Sequence, residues 1–135
     1  MLGDKNAAAT LAVKDLAAAR DFYENTLGLQ QIEMEGIAEG SGDAGAVLYR
    51  SGSSVVLVYE SAYAGTNQAT AASWAVGEDF DSIVQELRGK GVTFEHYDDL
   101  PGTTRDGDVH SIGNMKAVWF KDPDGNILNL GNQSM

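Results

Sequence analysis

Cysteine is absent from the 135 residues, which excludes disulfides, thiolate metal sites and thiol nucleophiles together. Histidine is nearly absent, with only His96 and His110. Basic residues are scarce: 9 Lys and Arg stand against 20 Asp and Glu, and the formal charge of -11 repels a phosphate backbone. Nucleic acid is therefore excluded as a partner. Long apolar runs are missing too, since stretches such as "VVLVY" are far too short to span a bilayer. The opening "MLGDKNAAAT" has no apolar region of the signal-peptide kind, so the cytoplasm is the expected compartment and a membrane is not an expected partner. What remains is 43% apolar and 21% charged, the composition of an ordinary globular protein, with room for one domain over 1–135.

Periodicity gives an order of elements, and the order repeats. "AAATLAV" (7–13) reads as a strand, and "DLAAARDFYENTLG" (15–28) as a helix with Asp15 at its N-cap and Gly28 as its stop. Strands follow at about 29–35, 45–50 and 54–60. A strand at 70–76, a helix at 78–91 and strands at about 92–97, 114–121 and 126–131 repeat the pattern, with "AYAGTNQAT" as the seam. The expected fold class is α+β. Two tandem βαβββ modules, about 7–60 and 70–131, form a curved mixed sheet with helices on the outer face. The uncovered face must bury itself on something, which makes it a cleft for a ligand and argues for a homodimer.

The best-specified stretch is "AVWFKDPDGNILNL" (117–130). Pro123 presets φ for a turn, Asp122 can hydrogen-bond the backbone two residues on, and Gly125 takes positive φ without steric cost. Asp122, Asp124 and Asn126 graze the calcium-loop pattern, but Gly125 comes one place early and Gln133 stands where a bidentate Glu is required. "GSGDAG" (40–45) has the spacing of a phosphate-binding loop. It leads into a strand rather than a helix, so it reads as a hairpin loop.

The doubled unit, "VKDLAAARDFYENTLGL" and "WFKDPDGNILNL" together resemble the vicinal oxygen chelate superfamily, which contains glyoxalase I, extradiol dioxygenases and bleomycin-resistance proteins. The resemblance covers nearly the whole chain. It implies metal ligands five residues before the valine of each first strand, here Ala8 and Ala71, and four after the glycine of each hairpin turn, here Val56 and Asn129. Three of these four have no donor atom, and one neutral amide does not hold a divalent transition ion against water. The expected metal and cofactor content is therefore none.

Strand alternation places small residues at 8, 10, 12 and 71, 73, 75 on the cleft face, leaving volume for a ligand. The expected cleft comprises Ala8, Thr10, Val56, Val58, Glu60, Ala71, Ser73, Phe120 and Asn129. The segment "HYDDLPGTTRDGDVHSIGN" (96–114) is long and aperiodic, and reads as a lid carrying Arg105 and His110. The functional expectation is a metal-free binding protein of the glyoxalase/bleomycin-resistance type for a neutral or cationic aromatic compound. The alternative is a lyase, isomerase or dioxygenase of the same superfamily. It would use either a displaced site built from His96, His110 and Glu60 or a carboxylate base such as Glu60.

Overall fold

The computed structural model describes residues 1–33 and 45–134. The "GSGDAG" loop lies, but for its last glycine, outside the described residues.

The first module runs β1 (Ala9–Val13), α1 (Leu16–Arg20), β2 (Gln30–Ile32), β3 (Ala46–Ser51) and β4 (Ser54–Glu60). Asp15 caps α1 as its sequence position requires, accepting the Ala18 amide at 3.1 Å. The expected α-helix does not continue to Gly28. From Asp21 to Thr26 it widens into a π-helix, in which the Leu27 amide reaches back to the Phe22 carbonyl. The chain leaves it through Gly28 at φ +75°, the left-handed conformation that a stop glycine supplies.

The second module runs β5 (Thr70–Ala75), a 3-10 turn (Gly77–Asp79), α2 (Phe80–Gly89), β6 (Thr104–Asp106), β7 (Val109–Ile112), β8 (Met115–Lys121) and β9 (Ile127–Gly131). Two expectations change here. Residues 92–97 form no strand, only a bridge between Phe94 and Phe120 and a bond from the Glu95 amide to the Trp119 carbonyl. The expected lid is instead the β6–β7 hairpin, with Thr104↔Ser111, Arg105↔His110 and Asp106↔Val109 in register. Its short strands carry too little alternation to be legible as strands.

Strand order is β1-β4-β3-β2 in one sheet and β5-β9-β8-β7-β6 in the other. Each opening strand pairs in parallel with the last strand of its own module, and the remaining ladders are antiparallel. The two sheets lie side by side along β1 and β5. On their helix side one apolar core runs through both modules, joining Leu11, Val13, Tyr23 and Tyr49 to Phe80, Val84, Phe120 and Leu128.

A polar clasp fastens the modules. The buried Asp122 carboxylate opens the β8–β9 turn and accepts the backbone amides of Asp124 and Asn126 at 3.0 and 2.8 Å. It also accepts the Asn126 side-chain amide at 2.8 Å and the Tyr23 hydroxyl, from the first module, at 2.7 Å. Asn126 completes the link by donating to the Ala12 carbonyl of β1 at 2.7 Å. Burial, and then the charge of Asp122, raise the Tyr23 phenol far above its ordinary pKa, so it remains a donor. Gly65 of the seam sits at φ +74° against the Asp124 carbonyl, leaving no space for a Cβ.

Tyr23→Phe is expected to lower unfolding free energy by about 1.5–3 kcal/mol in urea titrations, the scale of a buried hydrogen bond to a charged group. Asp122→Ala is expected to cost more, since it strands two backbone amides, an amide side chain and a phenol at once.

Candidate functional site

The helices cover one face of both sheets, and the opposite, concave face is the candidate site. Its composition follows from register. In the first module Thr10 stands opposite Leu57, and Ala12 opposite Tyr59. Leu48 and Ala46 of β3 continue the same rows through Leu57 and Tyr59. In the second, Ser73 pairs with Asn129, Asn129 with Trp119, and His110 with Ala117, so these share one face.

Four expected cleft residues belong elsewhere. Val56 and Val58 are buried in the helix-side core, in register with Ala9 and Leu11, and Phe120 is fully buried there against Phe22 and Phe94. Glu60 follows Val58 on that same side, at the exposed end of β4. The reason is one residue of register: every side chain on β4 and β8 exchanges faces when the strand is read one place off. The concave positions on these strands are Val55, Leu57 and Tyr59, and Trp119. Thr10, Ser73 and Asn129 stand on the concave face. Ala8 is exposed just ahead of β1. Ala71 falls at a β-bulge between Thr70 and Ala72, so simple alternation does not fix its direction.

Arg105 and His110 are sheet residues rather than lid residues. Arg105 holds Asp98 through two bonds of 2.7 and 3.1 Å and donates to the Gly107 carbonyl. Asp108 is held by His96 and Arg88, both at 2.8 Å, and these bonds draw its carboxyl below the ordinary range. His96 is thereby engaged at the outer side of the hairpin, apart from the concave face.

His110, Tyr97 and Trp119 form the most built part of the face. His110 is 1% exposed, and its ring meets Trp119 edge-on at 4.9 Å. Tyr97 meets Trp119 edge-on at 5.6 Å. The Tyr97 backbone amide donates to His110 Nε2 at 3.0 Å, which places the proton of the neutral ring on Nδ1. The Trp119 indole N–H is taken by Thr70 Oγ1 at 3.1 Å, fixing the ring in the sheet surface. Among the described residues neither the Tyr97 hydroxyl nor His110 Nδ1 has a hydrogen-bond partner. Sequence reading left Trp119 and Tyr97 unassigned, and only the register of β8 shows that Trp119 faces the concave side.

The positions at which the resemblance places metal ligands do not fit a metal. Ala8 and Ala71 offer no donor, and Val56 is in the core. The Asn129 amide group is turned to the Val118 and Leu130 carbonyls at 3.2 and 3.4 Å. Among the described residues no group of three or more His, Asp or Glu converges as a metal site, so the displaced set of His96, His110 and Glu60 does not assemble.

Two tandem modules, βαβββ and βαββββ, with helices on one side and an open concave sheet on the other define an α+β fold. The chain belongs to the Glyoxalase/Bleomycin resistance protein/Dioxygenase superfamily, whose family model matches residues 6–130. No curated protein sequence matches it. Among solved structures, a putative glyoxalase family protein from Bacillus anthracis is 18% identical, with a TM-score of 0.65 over 99% of this chain and 100% of that one. A fosfomycin resistance protein, FosX, from Listeria monocytogenes was solved as a mutant complexed with Mn(II) and dihydroxypropylphosphonic acid. It is 15% identical, with a TM-score of 0.66 over 98% of this chain and 92% of that one. A protein from the mobile metagenome of V. pseudocholerae is 18% identical, with a TM-score of 0.65 over 100% of this chain and 98% of that one. These likenesses concern the fold. No helix among the described residues is long and apolar enough to cross a membrane.

Burial lowers the pKa of His110 from 6.5, outweighing the raising effect of nearby backbone carbonyls, while Arg105 and His96 lower it further. The unfolded chain therefore binds the proton more readily, and stability present above about pH 6.5 is lost as pH falls through the folded value. Urea midpoints measured from pH 8 to 5 are expected to decline below that point, and His110→Phe is expected to flatten the decline.

Proposed function

We propose that the protein binds a small, planar, neutral organic molecule on the concave face around Trp119, without a metal, and that a second copy of the chain closes over it. The observation that carries this reading is the side-chain set of that face. An indole held in place by Thr70, with Thr10, Ser73 and Asn129 on the same side, offers stacking and hydrogen bonds but no ligand set for an ion. FosX of Listeria, seen with Mn(II) and a phosphonic acid, is similar in fold. This chain has alanine at two of the positions where the resemblance calls for metal ligands, so Lewis-acid chemistry of that kind has no seat in it.

Charge refines the ligand class. The net charge of -11 disfavours anions, while Asp98 and Asp108 are already neutralised by Arg105, Arg88 and His96 and exert little pull on a cation. A neutral ligand suits both facts. Among the described residues of the concave face no nucleophile is paired with a base, and the carboxylate considered for that role, Glu60, stands on the other side of β4. Closure by a second copy is supported by the exposure of Tyr59, Ile112 and Met115, three large apolar side chains whose register places them on this face.

The two tryptophans lie on opposite faces of one sheet, which makes the reading testable. In Trp74→Phe protein only Trp119 emits, and a size-matched set of neutral, cationic and anionic aromatic compounds is expected to quench it saturably for neutral members. Trp119→Ala is expected to weaken binding by about 0.5–1.5 kcal/mol, the worth of an aromatic pair beyond its area. Near one equivalent of Zn, Mn or Ni per chain after dialysis would overturn the metal-free reading. Light scattering is expected to give a dimer at micromolar concentration, and a monomer would require the concave face to close by other means.

A further inference from the structure

The helix side of the sheets holds a second, chemically different cavity. It has a volume of about 190 Å³ and lies between the modules, walled by Leu27 and Leu29 at the end of the first helix and by Ile83 and Leu87 of α2. Trp74 and Phe120 form part of its floor. Leu27, Leu29, Ile83 and Trp74 are only half-buried, so the cavity reaches the surface. Ser51, the one polar residue of its wall among the described residues, accepts the Trp74 indole proton at 2.8 Å. The Tyr97 hydroxyl and His110 Nδ1, buried without partners among the described residues, do not line it.

From this we infer that the protein carries a separate binding site, between its two modules on the helix side, for a small apolar monocyclic arene. Size and polarity select that class. An apolar cavity of about 150 Å³ accepts benzene, so 190 Å³ suits one ring with a small substituent. The wall offers aliphatic and aromatic carbon, and its one indole donor is already spent on Ser51, so a charged or strongly polar guest would lose its hydration without recompense. The site is distinct from the concave face. Trp74 and Phe120 alternate with Ser73 and Trp119 along β5 and β8, so the thickness of one sheet separates the two. An occupant touches both modules at once, and binding therefore stabilises their packing.

Iodobenzene, an apolar arene and a heavy-atom quencher, tests this in the full chain. In Trp119→Phe protein, where only Trp74 emits, quenching is expected to saturate and the melting temperature to rise with concentration. Ile83→Phe, which fills the cavity from α2, is expected to weaken saturation at least about tenfold, a change of about 1.4 kcal/mol. Leu29→Phe fills it from the opposite wall and serves if the first variant does not fold. Linear, unsaturable quenching of Trp74, or saturation unchanged by both fillings, would overturn the proposal. The concave reading fails separately: saturable quenching seen only in Trp74→Phe protein supports the concave site and refutes the cavity, and the reverse pattern supports the cavity alone.

Discussion

The Asp122 carboxylate is the constraint on which the rest of the structure depends. A buried carboxylate is tolerable only when its oxygens are satisfied, and here the partners come from both halves of the chain. Two backbone amides and Asn126 hold the β8–β9 turn in shape, while Tyr23 brings the first helix onto that turn. Asn126 carries the contact on to the Ala12 carbonyl of β1. The hairpin that reads most clearly in the sequence is thus also the fastening between the modules, and a turn motif that grazes a calcium loop is occupied by protein donors.

That fastening decides what each sheet face can do. With the modules side by side and both helices on one side, the helix face becomes a shared core that includes Phe22 against Phe120, 6.4 Å between ring centres, and Trp74 bonded to Ser51 across modules. The concave face receives what alternation leaves over: Thr10, Ser73 and Asn129 beside apolar Leu48, Leu57 and Tyr59, with the Trp119 ring fixed by a hydrogen bond. The same pleat therefore separates a polar-rimmed aromatic surface from an apolar intermodule cavity. Each face has its own tryptophan.

The acidity of the chain also looks different once folded. Asp98 and Asp108, which in the sequence belong to an acidic segment, are taken up by Arg105, Arg88 and His96, so they organise the β6–β7 hairpin rather than attract a ligand. His110 sits one strand inward as a neutral, buried ring. The segment that reads as a lid supplies, through β6 and β7, the outer edge of the second sheet.

The sequence by itself determined two tandem modules that each open strand then helix, the α+β class, the Asp15 cap, the turn at Asp122–Gly125 and the lack of metal donors at Ala8 and Ala71. These are local properties, set by periodicity, turn chemistry and residue type over a few positions. Only the tertiary structure decided which face each strand presents. Side chains alternate with a period of two, so a shift of one residue sends Val56, Val58 and Phe120 to the core and brings Leu57 and Trp119 to the concave side. Register is fixed by partners distant in the chain, such as Leu11 for Val58 and Ser73 for Asn129. The pairing of Asp122 with Tyr23, 99 residues apart, depends likewise on packing that no local pattern encodes.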